Sequence, residues 1–294
     1  MLEDDKIGLH NLIEEELNSN EKILKPDFSQ EYGRKMLTSY LKTKFKQMYD
    51  FDRNASNPII KEVRYNFINE FSARLINNPE KRIMIGVTGE SASGKSTMCK
   101  AISYVIKSFN MPVTIIPTDN YFNDISDLIK KFGTFDELRD NGYDIDAPSS
   151  FQLDVLKNDL YELSLGNDVY SPEYLPNGTG VSVPHSKLIL SNKVMIVEGI
   201  ASMFDDVKDI FDIKVYVETD IATRRERFLR RAYTERNQDL NNAKKHWEYI
   251  LGAGEKYVQP AREFADLILN GNNDMDYFCQ LIEYIHTITN NFNS

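Results

Sequence analysis

A glycine-rich turn between an apolar run and a helical segment constrains this sequence more than any other feature. Residues 82–88 form a short apolar run that is typical of a buried strand, and residues 97–109 are predicted to be helical. The turn between them matches G-x-x-x-x-G-K-[ST], a pattern in which a strand leads into a phosphate-binding loop and then into a helix. The loop comprises Gly89, Glu90, Ser91, Ala92, Ser93, Gly94, Lys95, Ser96 and Thr97.

The spacing within this loop suits the phosphates of a nucleotide. Glycine tolerates the backbone angles that turn successive amide N–H groups inward, and the following helix presents its positive end to the same anion. Lys95 can reach the β- and γ-phosphates, and the Ser96 hydroxyl can coordinate Mg²⁺. Because a strand and a helix flank the loop as the pattern requires, we expect it to bind ATP together with Mg²⁺.

Apolar runs of the same kind recur along the rest of the chain. Helical segments such as 153–165 and 222–235 separate them. Strands that alternate with helices predict a parallel sheet, with ligands at the carboxyl ends of the strands. The expected fold class is therefore α/β: a three-layer P-loop NTPase of the nucleoside monophosphate kinase type, with a five-stranded, mainly parallel sheet. The further predicted strands are 113–117, 194–197, 213–217 and 267–269.

Residues 1–80 differ in character and are predicted to be polar and helical. Apolar residues recur at helical spacing within 9–17, 40–48 and 63–75. We expect about three amphipathic helices in an N-terminal extension, followed by a P-loop domain over residues 81–294. This extension could pack against the larger domain or bind a protein partner, and the sequence leaves both roles possible.

Composition excludes several classes of protein. The 294 residues carry a formal net charge of −10, which argues against a general nucleic-acid binder because such proteins present a basic face. The two cysteines, Cys99 and Cys279, provide neither a disulfide framework nor a cysteine-rich zinc site. No run approaches the length of about 20 apolar residues that a membrane span needs, and residues 1–16 lack the apolar core of a signal peptide. We therefore expect a cytoplasmic protein with no nucleic-acid or membrane partner.

Two acidic residues stand at the ends of predicted strands. Asp119 follows the strand that begins at Val113, and Glu198 ends the strand that begins at Val194. Asp119 could accept a proton from an attacking hydroxyl, and Glu198 could hold Mg²⁺ or its waters beside Ser96. A helix cap or a structural ion pair is the alternative role for either acid.

Several short segments follow one another in an order that is specific when taken together. They are the Ser-Ala-Ser-Gly-Lys core of the loop, Asp119-Asn120-Tyr121-Phe122, Asp146-Ala147-Pro148-Ser149-Ser150-Phe151, Pro172-Glu173-Tyr174, Glu198-Gly199-Ile200, Val217-Glu218-Thr219-Asp220, the arginines within 227–236, and Phe264-Ala265-Asp266. With these segments, residues 82 to about 270 resemble the uridine kinase and phosphoribulokinase family.

The resemblance implies a role for each matching residue. Asp119 would be the base near the 5′-hydroxyl of a nucleoside, and Asp146 would bind ribose hydroxyls. Tyr121 and Tyr174 would line the acceptor pocket. An arginine-rich lid would close over the phosphates, with Arg227, Arg231 and Arg236 as its members; Arg236 would also contact the acceptor.

Phosphoryl transfer gives an independent physical reason for such a lid. The reaction spreads negative charge over the equatorial oxygens, which arginines can stabilise while a closing segment excludes water. Residues 224–231 are rich in arginine, but these side chains cannot all face one site. We expect Arg231 and Arg236 to serve catalysis beside Lys95 and Asp119, and Arg227 to contact ATP.

The sequence departs from the family pattern at three places, the first being Ala232 after Arg231, where the family has Arg-Asp. Gln238 stands where the family has the second arginine of Glu-Arg-Gly-Arg-Asp. The segment 175–180, which follows Pro-Glu-Tyr, lacks the histidine with which the family's nucleoside kinases read the pyrimidine. His185, further along, is predicted to be a surface residue.

These features predict transfer of the γ-phosphoryl group of ATP to the hydroxyl of a small, nucleoside-like acceptor, with uridine or cytidine as the leading candidate. Pantothenate is one alternative, because related pantothenate kinases carry helical N-terminal segments of similar length. A sugar or sugar phosphate is another. An alternative of a different class is a non-catalytic nucleotide-binding regulator or scaffold. Relatives assemble as dimers or tetramers, so a homo-oligomer also stays open.

Overall fold

Eight strands occur in the part of the chain that the computed structural model describes, and six of them form one sheet. The described residues are 31–64, 66, 67, 69, 70, 73, 81–107, 112–175, 178–235 and 238–272. Among them the strands are β1 Ile60–Val63, β2 Ile83–Thr88, β3 Val113–Pro117, β4 Val169–Tyr174, β5 Ser182–Ile189, β6 Val194–Glu198, β7 Ile213–Glu218 and β8 Leu267–Asn270.

The central sheet has the strand order β1-β8-β7-β2-β6-β3. The five strands from β8 to β3 are parallel to their neighbours and correspond to the five predicted runs, whereas β1 is antiparallel to β8. The mainly parallel sheet is thus confirmed, but it has six strands instead of the expected five. Val63 lies in the added strand, although the apolar spacing of 63–75 indicated a helix. The strand is only four residues long, too short for the spacing of apolar residues to reveal it.

Helices cover the described chain between these strands. The α-helices are α1 Glu31–Asp52, α2 Lys95–Lys107, α3 Ser126–Phe132, α4 Phe135–Asp140, α5 Leu153–Leu165, α6 Ile221–Thr234 and α7 Leu240–Ala253. Short 3₁₀ segments occupy Thr118–Tyr121, Pro148–Ser150, Ile200–Met203, Lys208–Ile210 and Gln259–Phe264, and a π-helical turn occupies Gly254–Val258. None of the described helices is both long and apolar enough to cross a membrane.

Successive residues of β2 pack on opposite faces of the sheet, as the pleat of a strand requires. Ile85 and Val87 join a buried cluster with Met98 of α2, whereas Met84 joins a second cluster with Leu160 of α5. All six residues of β2 are buried, as expected for a central strand covered on both faces. The sheet therefore lies between two helical layers, which confirms the three-layer α/β class.

Part of the predicted N-terminal extension packs on the same core. Phe45 and Met48 of α1 contact the cluster that contains Val87. The buried Asp52 carboxylate accepts hydrogen bonds from the N–H groups of Ile59 at 2.8 Å and Ile60 at 2.6 Å, which fixes the chain as it enters β1. The division into residues 1–80 and 81–294 stays a prediction, and residues 1–30 lie outside the described residues.

The register of the parallel strands brings the candidate site residues to one edge. Val87 of β2 and Pro117 of β3 both lie opposite Glu198 of β6. The residues that follow β2 and β3 must therefore emerge beside each other, at the carboxyl end of the sheet. The phosphate loop follows β2, and Asp119 follows β3.

Candidate active site

The loop between β2 and α2 adopts backbone angles that ordinary residues avoid. Gly89 has φ +150° and Gly94 has φ +95°. A Cβ on Gly89 would lie 2.4 Å from the Val217 carbonyl oxygen, so both the conformation and the space require glycine there. Ala92 also has a positive φ, of 62°, an uncommon value for a non-glycine residue. This backbone leads directly into the N-terminus of α2 at Lys95.

Lys95 reaches back across the loop that precedes it. Its Nζ donates to the carbonyl oxygens of Gly89 at 2.7 Å and Glu90 at 3.1 Å. Burial lowers the pKa of Lys95, and the negative charges of Asp119 and Glu198 oppose that effect. The ammonium group is therefore held where the loop backbone and the two strand-end acids meet.

Ser96 and Glu198 form the pair that the sequence assigned to Mg²⁺. The Ser96 hydroxyl lies 3.1 Å from Oε1 and 3.0 Å from Oε2 of Glu198. Burial raises the pKa of Glu198, while the Ser96 hydrogen bond and Lys95 lower it. A hydroxyl and a carboxylate are hard oxygen ligands of the kind Mg²⁺ prefers, and Mg²⁺ usually keeps several waters besides one or two carboxylates. These two residues thus fit the ion, although no group of three or more His, Cys, Asp or Glu suited to a metal occurs among the described residues.

A cavity of about 1240 Å³ opens beside this pair and contains most of the predicted site residues. The phosphate loop, the ends of β3 and β6, the 141–147 loop and α6 all contribute to its wall. The predicted residues that line it are Ser91, Ala92, Gly94, Lys95, Ser96, Thr97, Asp119, Asp146, Tyr174, Glu198, Arg227 and Arg231. Gly89, Glu90 and Ser93 belong to the loop but do not line the cavity, and Arg236 lies outside the described residues.

Asp119 and Asp146 lie on one side of the cavity, which we call the acceptor side. The pKa of Asp146 is raised to about 6, chiefly by burial and also by the negative charges of Asp144 and Asp119. Lys95 and Arg139 act in the opposite direction. Asp119 stands at the start of the 3₁₀ segment after β3 and is exposed. The acceptor side therefore carries two carboxyl groups within mutual electrostatic range.

Tyr174 completes the acceptor side from the end of β4. Its ring lies 5.3 Å from that of Phe122, which also lines the cavity. Its hydroxyl oxygen is buried, finds no hydrogen-bond partner among the described residues, and has its pKa raised to about 12 by burial. A buried polar atom without a partner is costly, so this hydroxyl is a candidate contact for a ligand.

Tyr121 does not line the cavity, contrary to the role that the resemblance implied. It is fully buried, and its hydroxyl donates to Asp159 Oδ2 at 3.0 Å. Burial and the neighbouring Asp159 raise the pKa of Tyr121 well above its usual value. The 3₁₀ segment turns Tyr121 into the core, and the next residue, Phe122, lines the wall instead.

Three of the five arginines of α6 make different contacts. Arg224 is buried, forms an ion pair with Glu90 Oε2 at 2.5 Å and donates from Nε to the Ser91 carbonyl at 3.2 Å. Arg227 donates to the Gly271 carbonyl at 3.0 Å, and Arg231, half-exposed, lies 3.6 Å from Glu235. Positions 224, 227 and 231 repeat at three and four residues and so share one helix face. That spacing could have identified Arg224, which the sequence prediction omitted.

The cavity wall also contains Arg139, which carried no recognisable sequence signal, and Gln238, which the sequence had marked as a departure from the family pattern. Arg139 of α4 lines the cavity, forms an ion pair with Asp136 and lies over the Tyr249 ring at 5.6 Å. Gln238, at the position of the missing lid arginine, also lines the cavity. His185 is exposed on β5 and is absent from the cavity wall, as predicted for a surface residue.

Comparisons with known proteins identify the family to which this sequence is similar. A model of the phosphoribulokinase / uridine kinase family matches residues 84–277. A uridine kinase of Lactococcus lactis subsp. cremoris (strain MG1363) is 32% identical over 195 residues, which cover 65% of this chain and 88% of that protein. Uridine-cytidine kinase A of Dictyostelium discoideum is 28% identical over 203 residues, which cover 67% of this chain but only 38% of that protein.

A solved structure supports the fold alone. A protein from Silicibacter sp. TM1040, named as a candidate fructose transport system kinase, superposes with a TM-score of 0.54 at 19% identity over 68% of this chain and 95% of that chain. The family match covers most of the sheet, the phosphate loop and the arginine-rich helix. The chain belongs to the phosphoribulokinase / uridine kinase family.

Proposed function

We propose that this protein is a kinase that uses ATP and Mg²⁺ to phosphorylate the hydroxyl of a small metabolite, and that uridine or cytidine is the acceptor, at its 5′-hydroxyl. The observation that carries the proposal is the convergence of Lys95, Ser96, Glu198 and Asp119 on one cavity. A phosphate-binding loop, a pair of Mg²⁺ ligands and a carboxylate near the acceptor are the parts that phosphoryl transfer requires.

The phosphate loop and Lys95 would bind the phosphates of ATP. Lys95 Nζ donates to the Gly89 and Glu90 carbonyl oxygens in this structure. The same N–H groups could donate to a phosphate bound on the loop. Ser96 and Glu198 would hold Mg²⁺, whose positive charge neutralises charge that develops on the phosphates during transfer. Arg227 and Arg231, which line the same cavity, would stabilise the negative charge of the transferring group.

Asp119 would orient the acceptor hydroxyl and take its proton. It follows β3 directly and shares the cavity with Lys95. A positioned general base contributes about 10²–10⁴-fold to a rate. Asp146 would accept hydrogen bonds from the other hydroxyls of the acceptor, which would hold the reacting oxygen in line with the phosphate.

The charges on the acceptor side favour an uncharged polyhydroxyl compound. Asp119 and Asp146 lie on this side, and Asp136, which also lines the cavity, forms an ion pair with Arg139. Like charges repel, so an anionic acceptor such as pantothenate or a sugar phosphate would bind less well than a nucleoside. The rings of Phe122 and Tyr174 offer an aromatic wall on which a base could stack.

The experiment that tests this function measures ATP consumption with a panel of acceptors and identifies the product by mass. The panel holds uridine, cytidine, nicotinamide riboside, pantothenate, ribulose 5-phosphate and glycerate. We expect phosphorylated uridine or cytidine. Turnover only on an anionic acceptor would contradict the assignment of uridine or cytidine as substrate. ATP binding without any product would favour the non-catalytic regulator or scaffold.

The variant Asp119→Asn separates a catalyst from a nucleotide-binding module. We expect turnover to fall about 10²–10⁴-fold while ATP affinity is unchanged, because the carboxylate contacts the acceptor hydroxyl and not the bound nucleotide. Asp154→Asn, an exposed residue in the first turn of α5, is the matched control. An Asp119→Asn variant with full turnover would exclude the role proposed for this residue.

A further inference from the structure

Beside the acceptor side of the cavity, two tyrosine hydroxyls hold the carboxylate of Asp144. Tyr249 donates to Oδ1 at 2.5 Å and Tyr257 donates to Oδ2 at 2.8 Å. Tyr249 comes from α7 and Tyr257 from the π-helical turn, whereas Asp144 lies in the loop after α4. Each carboxylate oxygen thus has its own charge-assisted hydrogen bond, which fixes the orientation of the side chain.

The same contacts anchor the backbone around Asp144. The Tyr249 hydroxyl also accepts from the Ile145 N–H at 3.0 Å, and the Asp144 carbonyl accepts from Ser150 Oγ at 2.6 Å. Ile145 and Asp146 both line the cavity. The segment that presents Asp146 is therefore tied to a helix more than one hundred residues further along the chain.

We propose that Asp144 is a positioning residue for Asp146. Held by Tyr249 and Tyr257, it fixes the loop that directs the Asp146 carboxyl toward the hydroxyls of the acceptor. This inference rests on the proposed function, in which Asp146 binds the acceptor. A π-helical turn often occurs at functional sites, and here it supplies one of the two tyrosines.

Asp144 also influences the proton affinity of Asp146. The pKa of Asp146 is raised to about 6: burial and the charges of Asp144 and Asp119 raise it, and Lys95 and Arg139 oppose the rise. Tyr249 is the other titratable group near this carboxyl, and burial together with Asp144 raises its pKa, so it stays protonated. Removing the charge of Asp144 should therefore lower the pKa of Asp146.

Kinetics of two variants, Asp144→Asn and Tyr249→Phe, test the inference with uridine as acceptor. We expect the KM for the acceptor to rise roughly tenfold in each, because a hydrogen bond to a charged group is lost, while the KM for ATP stays the same. In Asp144→Asn the acid limb of the pH profile of kcat/KM should also move to lower pH. The controls, Asp154→Asn and Tyr161→Phe, alter exposed side chains on α5.

Carbon-13 NMR titration of the carboxyl groups gives a readout that needs no acceptor. The Asp146 signal is identified by its loss in Asp146→Asn and followed with pH in the wild type and in Asp144→Asn. A lower titration midpoint in Asp144→Asn supports the inference, and an unchanged midpoint overturns it, even if the wild type phosphorylates none of the acceptors and the proposed function fails. Should Asp144→Asn not fold, Tyr249→Phe decides: native melting with weaker acceptor binding supports the inference, and unchanged binding overturns it.

Discussion

The phosphate side of the cavity is formed largely by one continuous stretch of chain, whereas the acceptor side is assembled from distant segments. Residues 89–97 supply the loop, Lys95 and Ser96 in sequence. The acceptor side combines Asp119, Asp146 and Tyr174 from three separate parts of the chain: the 3₁₀ segment after β3, the loop after α4 and the end of β4. A second difference is charge: the phosphate side combines Lys95 with one carboxylate, Glu198, whereas the acceptor side carries two carboxyl groups, Asp119 and Asp146.

This difference bears on how the two sides recognise their ligands. Phosphates are bound by backbone N–H groups and a helix terminus, which depend on local conformation and tolerate changes in side chains. An acceptor is recognised by side chains whose positions depend on packing between elements, as the contact of Tyr249 with Asp144 illustrates. We infer that recognition of the acceptor depends strongly on contacts between distant segments, whereas ATP binding depends on them much less.

The ion pair between Arg224 and Glu90 is where the phosphate side also depends on a distant element. We expect Arg224→Met to lower the free energy of unfolding by about 3 kcal/mol, because it leaves the Glu90 carboxylate, which is only 12% exposed, without its ion-pair partner. ATP affinity should fall as well, since Arg224 also donates to the Ser91 carbonyl in the loop. Urea denaturation and ATP titration measure the two effects.

The neighbouring Arg225→Met is the matched control, because Arg225 is exposed on the same helix and should change stability by less than about 0.5 kcal/mol. The double variant Arg224→Met with Glu90→Gln should regain part of the loss, since it removes the unpaired charge. Equal stability of the Arg224 and Arg225 variants would show that the phosphate loop stands without α6, which would make the contrast between the two sides sharper.

The sequence was informative where local pattern determines structure. The strand, loop and helix around residues 83–107 followed from apolar runs and the spacing of two glycines and a lysine. The pairing of Ser96 with Glu198 followed from the rule that parallel strands end at one edge. The arginine-rich helix was also recognised, but which of its faces meets the loop was settled only by the packing of Arg224.

The rest depended on contacts that no local pattern encodes. Tyr121 was assigned to the pocket, but a 3₁₀ turn directs it to Asp159, a residue on a different helix. Strand β1 was missed because four residues do not establish a periodicity, and its stability comes from pairing with β8 at the far end of the chain. The contacts of Asp144 could not be predicted from local pattern, since its tyrosine partners lie more than one hundred positions away.

Acceptor binding should depend on pH through Asp146, whereas ATP binding should not follow the same titration. The pKa of Asp146 is raised to about 6, so its carboxyl is ionised above that pH and protonated below it. The ionised form accepts hydrogen bonds from acceptor hydroxyls. We therefore expect kcat/KM for the acceptor to fall with an acid limb near pH 6, about tenfold for each further unit, in rate measurements between about pH 5 and 8.

Asp146→Asn should remove this limb, because an amide does not titrate in that range, and should raise the KM for the acceptor at every pH. Asp154→Asn, at an exposed residue that does not line the cavity, should keep the wild-type profile. If the acid limb of kcat/KM persists in Asp146→Asn, another group is responsible for the titration. The proposed contact between Asp146 and the acceptor hydroxyls would then be wrong.

The smallest expected effect concerns the Tyr174 hydroxyl, and its sign separates two accounts of the acceptor side. The hydroxyl oxygen is buried and has no hydrogen-bond partner among the described residues. If its partner is the acceptor, Tyr174→Phe should raise the KM for the acceptor about fivefold and leave stability equal or slightly higher, because an unsatisfied polar group is removed from the free enzyme.

Tyr161→Phe, a change at an exposed tyrosine, is the control and should alter neither the KM nor the stability. Thermal melts and acceptor titrations measure both. An unchanged KM with increased stability would mean that the hydroxyl serves no ligand, and the acceptor side would then rely on its carboxylates alone.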